Sequence, residues 1–65
     1  MRISDLKERI TLSFGPEWAP SFCKDIALSE LSSRSVDQAL HDGVEADQIW
    51  KAVVKQHPKE TQKYV

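Results

Sequence analysis

The sequence predicts an all-α fold, a small bundle of about four helices with a helix-turn-helix-like corner over residues 36–57. Two observations carry this expectation. Apolar residues recur at i, i+3 and i+4 along most of the chain, and turn signals at Gly15 and Pro16, at residues 32–34, at Gly43 and at Pro58 separate the runs. A third, the length of 65 residues, allows one domain and no more.

The first helix is placed at residues 4–14. Ser4 is its expected N-cap, Asp5 suits the positive end of the helix dipole, and Ile3 stands where a hydrophobic staple would. Ile3, Leu6, Ile10 and Phe14 mark one face, and Leu12 falls off it. Gly15 and Pro16 end the run.

The second helix is placed at residues 18–31, with Pro20 tolerated only in its first turn. Trp18, Phe22 and Ile26 form one ridge; Ala19, Cys23, Ala27 and Leu31 form the ridge beside it. A polar loop over residues 32–34 then leads to Ser35.

The third and fourth helices, residues 36–42 and 46–57, make the corner. Ser35 with Gln38 three residues on is a capping box. Val36, Ala39 and Leu40 share a face, and Gly43 supplies the left-handed cap with Val44 as its apolar contact. Ala46, Ile49, Trp50, Val53 and Val54 form the stripe of the fourth helix, which Pro58 stops. Trp18, Phe22, Leu40 and Trp50 are the expected anchors of the core. Residues 1–58 are read as one helical domain and residues 59–65 as a flexible C-terminal tail.

Net charge is −1, which excludes strong nonspecific attraction of the whole molecule to nucleic acid. The charge is uneven: acidic residues dominate from Glu17 to Trp50, whereas Lys51, Lys55, Lys59 and Lys63 stand against Glu60 alone in the last part of the chain. The single cysteine, Cys23, cannot form an internal disulfide, and no apolar run is long enough for a signal peptide or a membrane span, so a cytoplasmic setting is expected.

No catalytic or metal-binding constellation emerges. Cys23, His41 and His57 have no ligand spacing, and His41 suits the C-terminal end of a helix. Cys23 lies on an apolar face, where a thiol has a raised pKa rather than a thiolate's reactivity. Gly15 and Gly43 are both used by helix ends, leaving no phosphate-binding loop. No enzyme activity, cofactor or metal is therefore expected.

The residues also carry a resemblance. The opening Met1, Arg2, Ile3 and Ser4, the pair Phe14 and Gly15, Trp18 with Ala19, then Asp25, Leu28 and Leu31, then Ala39, Gly43, Val44, Trp50 and Ala52 occur in this order. The set resembles a family of small actinobacterial proteins that form a domain of unknown function and are often encoded near the recombinase and its regulator. It spans the chain from Met1 to about Val54. Two departures stand out: where family members often have an acidic residue and proline after the Gly-Val pair, Glu45 and Ala46 stand here, and Val54 stands near a frequent cysteine whose role Cys23 does not inherit. The resemblance implies a compact helical fold and a bacterial cytosolic setting, and no activity.

Two functions remain to be weighed. The first is a noncatalytic protein-interaction module with an unknown protein partner, acting as a monomer or weak homodimer. The alternative is a helix-turn-helix nucleic-acid binder using Lys51, Lys55, Lys59 and Lys63, with Glu45 and Asp47 in the leading turn arguing against it.

Overall fold

In the computed structural model, which describes residues 1–64, the chain is predominantly helical. Five α-helices follow one another: α1 Ile3–Phe14, α2 Ala19–Asp25, α3 Val36–His41, α4 Ala46–Gln56 and α5 Pro58–Thr61. Single 3-10 turns occupy Ser29–Leu31 and Gln62–Tyr64. The all-α expectation holds; the fifth helix was not foreseen.

Helix α1 buries Leu6 and Ile10 completely, one turn apart on its inward face. It begins one residue early, because the Arg2 N–H donates to the Asp5 carboxylate at 3.4 Å and Arg2, not Ser4, holds the cap position. Ile3 stays exposed and makes no staple.

Helix α2 is shorter than expected. It stops at Asp25, Ile26 is extended, and the Leu28 N–H donates to the Arg34 carbonyl at 2.9 Å in an isolated bridge. Extended backbone alternates its side chains, so Leu28 turns fully inward while Ala27, expected on a helical ridge, points out. The return to α3 passes through Ser32 and Ser33 at φ +59 and +62, left-handed angles uncommon outside glycine.

The corner matches the sequence closely. The Ser35 hydroxyl accepts from the Gln38 N–H at 3.1 Å. The reciprocal half of the box is not made, since the Gln38 amide donates to Asp42 instead. Gly43 has φ +87; its N–H reaches the Leu40 carbonyl and the Val44 N–H reaches the Ala39 carbonyl. Those two bonds are the paired closure of a Schellman cap.

Helix α4 is the centre of the molecule, touching α1, α3, α5 and the Ser29–Leu31 turn. Ile49, Trp50, Ala52 and Val53 are buried along it. Phe22 and Trp50 are core anchors as expected, and Leu40 is half-buried against the same cluster. Trp18 is not an anchor: it is 47 % exposed. With α2 cut short, that helix packs through Ala19, Phe22 and Cys23, and Trp18 overhangs its first turn.

The division at residue 58 also needs correction. Pro58, which ends α4, opens α5 at a position suited to proline. Thr61 is completely buried, and Tyr64 packs against the core. Residues 59–64 are thus part of the domain; Val65 lies outside the described residues.

Candidate partner-docking groove

Three stretches distant in sequence meet beside Trp18. Helix α1 ends at Phe14, and Gly15 at φ +89 turns the chain, an angle that glycine takes freely. The Ala19 N–H then closes on the Gly15 carbonyl at 2.9 Å, which sets Trp18 at the start of α2. Trp18, Phe22 and Ile26 form the ridge that their spacing predicts. The end of α4 brings His57, and the start of α5 brings Glu60.

Together with Ser13 these residues line a groove of about 300 Å³. Its floor is aromatic. The rings of Phe14 and Phe22 stack with centroids 4.2 Å apart and planes 17° from parallel. His57 lies 5.5 Å from one and 5.3 Å from the other, nearly perpendicular to both. Such equal distances place the imidazole beside the stack, against the ring edges, not over a ring face.

Two polar atoms of the groove stand without partners. Ser13 Oγ and His57 Nε2 are each shielded from solvent, and neither makes a hydrogen bond. An unmet buried polar group costs about 1–3 kcal/mol. Glu60 is exposed and enters no ion pair among the described residues. The sequence marked the Trp18 ridge but aimed it inward; the signal that could have corrected this is the exposed character of Pro16, Glu17 and Pro20 around Trp18. Nothing local marks Ser13, His57 or Glu60.

The four candidate nucleic-acid contacts do not converge. Lys51 and Lys55 line one groove together with Glu30, and Lys59 and Lys63 line another with Leu12 and Glu60. Lys55 is 3.0 Å from the Glu30 carboxylate. In the leading turn of α4, Asp47 sits 3.2 Å from the N-terminal ammonium of Met1. Gly43 serves the corner alone, and Trp50 lies beneath the Arg9 guanidinium, 5.8 Å from the ring centroid.

The remaining reactive groups sit apart. Cys23 is buried, and that burial pushes its thiol pKa up; the nearby Lys7 opposes the shift and Asp37 adds to it. His41 is exposed at the end of α3. Among the described residues no three histidine, cysteine or carboxylate side chains are grouped to hold a metal ion, and no helix is long and apolar enough to cross a membrane.

A family model described as a protein of unknown function, DUF3046, matches residues 1–59. The chain belongs to the DUF3046 family. The matched span takes in all of α1 to α4 and every groove residue except Glu60. No curated protein and no solved structure matches the chain.

Proposed function

We propose that the protein is a noncatalytic protein-interaction module whose docking surface is the Trp18 groove. The observation that carries this reading is Trp18 itself. The fold buries its other tryptophan within the core, yet leaves Trp18 47 % exposed in a groove with an aromatic floor. An exposed large apolar side chain costs solvation and is informative when it belongs to a patch. Tryptophan is also the residue type most enriched at the energetic centre of protein interfaces. The buried, pKa-raised Cys23 thiol offers no ready nucleophile, which favours a noncatalytic role.

A bacterial cytosolic setting, as the family resemblance implies, belongs to the same proposal. So does the monomeric or weakly dimeric state, which sedimentation equilibrium of the purified chain would measure. Nucleic-acid binding is the weaker reading: Lys55 is already engaged by Glu30, and the two lysine pairs line different grooves.

The test compares wild type with Trp18→Ser as baits in the source lysate. Wild type should retain a defined partner that Trp18→Ser loses while melting within a few degrees of wild type. Equal retention by both baits would remove the groove from the interaction.

A further inference from the structure

We propose that the Trp18 groove receives an arginine side chain of the partner protein, held between the indole face of Trp18 and the carboxylate of Glu60. The inference rests on the docking reading and adds the chemistry of the occupant.

Charge selects the occupant. Glu60 is the one carboxylate lining the groove, and it has no ion-pair partner among the described residues. Glu60 stands on the rim shared with the neighbouring groove, which Lys59 and Lys63 also line, but neither lysine lines this groove or comes within ion-pair distance of the carboxylate. Glu17, next to Trp18, is likewise unpaired among the described residues. A leucine or phenylalanine anchor would fill the aromatic floor but desolvate the Glu60 carboxylate with nothing to offset the cost.

A basic side chain resolves both demands. Its methylene stem lies along Ile26 and the Phe14–Phe22 stack, and its charged head reaches water, Glu60 and the indole face. Arginine fits better than lysine. Its planar guanidinium stacks on an aromatic face and grips a carboxylate with two parallel N–H bonds, and it sheds water more readily. The same pairing already exists inside the fold, where the Arg9 guanidinium lies over Trp50. Trp18 is the tryptophan with no cation over it among the described residues.

The experiment is an NMR titration of the ¹⁵N-labelled full chain with N-acetylarginine methylamide. N-acetylcitrulline methylamide, equal in shape but uncharged, and N-acetylleucine methylamide serve as controls. The two indole N–H signals report separately, so Trp50 is an internal control. The Trp18 signal should shift saturably with the arginine probe, the Trp50 signal should stay in place, and Glu60→Gln or the citrulline probe should weaken binding about two- to fivefold. Equal response to the citrulline or leucine probe would overturn the arginine assignment and leave the docking reading intact. So would a Trp18 shift that depends on protein concentration alone, since a second copy of the chain would then be the occupant. If no probe moves Trp18, the arginine assignment falls; if in addition Trp18→Ser retains the partner as wild type does, the docking reading falls with it.

Discussion

The two tryptophans show how far one residue's role depends on its neighbours. Trp50 is 6 % exposed on the central helix, and Trp18 is 47 % exposed at the start of a short one. Trp50→Ala should therefore cost about 3–5 kcal/mol, the range for an aromatic removed from a core. Thermal melting followed by circular dichroism should show Trp50→Ala largely unfolded and Trp18→Ala shifted by only a few degrees; the reverse order would exchange their roles. Gly43 is a second residue whose type is dictated by conformation. A Cβ there would meet nothing within 4 Å, so the cost of a side chain is the backbone's alone at φ +87. Gly43→Ala should lower stability by about 1 kcal/mol, and a denaturant titration with unchanged slope would isolate that effect. For Cys23 the sign follows from its raised thiol pKa. The fold favours the protonated thiol, so its contribution is complete below the unfolded-state pKa and is lost as pH rises through the raised folded value. Wild type should accordingly lose stability on the alkaline side more steeply than Cys23→Ala, as paired melts across that range would show.

At the scale of elements, one side chain satisfies two backbone groups of the segment over residues 26–31. Gln56 on α4 accepts from the Ser29 N–H at 3.0 Å and donates to the Ala27 carbonyl at 3.1 Å. These are backbone groups that a continuing α2 would have paired within itself. The amide thus replaces helical hydrogen bonds and frees Leu28 to enter the core. Gln56→Ala should cost about 0.5–1.5 kcal/mol. Hydrogen exchange should quicken at the Ser29 amide while the α1 amides keep their protection, and uniform loss of protection would count against so local a role. Ion pairs add register more than stability: Lys7 to Asp37 joins α1 to α3, and Lys55 to Glu30 joins α4 to the 3-10 turn, all with exposed side chains.

For the whole molecule, the radius of gyration is 10.3 Å, close to the roughly 11 Å of a compact chain of this length. There is no loose appendage among the described residues, because α5 and the turn after it lie against α1. A chain cut after His57 would lose the buried Thr61, the packing of Tyr64 and the Glu60 side of the groove. Its melting temperature should fall by about 8 °C or more, the shift expected for roughly 2 kcal/mol in a domain this small. An unchanged melt would show that the last residues add nothing to the fold. The charge distribution makes the companion prediction. With Lys55 engaged, at most three of the four candidate lysines are free to meet phosphates, so any duplex binding should show a salt slope of magnitude about 2.7 or less. Fluorescence anisotropy at roughly 0.15 M salt should detect no sequence-specific binding; submicromolar affinity weakened by Lys51→Glu would reverse the order of the two functional readings.

What the sequence determined by itself is local in origin. The face of Leu6 and Ile10 on α1, the Ser35 cap, the Gly43 turn and the stripe of α4 all follow from residues three to eight positions apart, whose geometry a helix imposes without reference to the rest of the chain. What only the tertiary structure decided depends on partners far along the chain. Helix α2 ends at Asp25 because Gln56, some thirty residues on, satisfies the backbone that follows it. Residues beyond Pro58 join the domain because α1 offers them a surface to bury Thr61 against. Trp18, at the start of α2, stays exposed because Ala19, Phe22 and Cys23 are the face that helix buries, and it finds His57 and Glu60 beside it because the chain beyond α4 folds back onto the domain. The candidate groove was thus legible as a ridge of spaced apolar residues but not as a site, since a hydrophobic period reveals which residues share a face and not whether the fold will cover it.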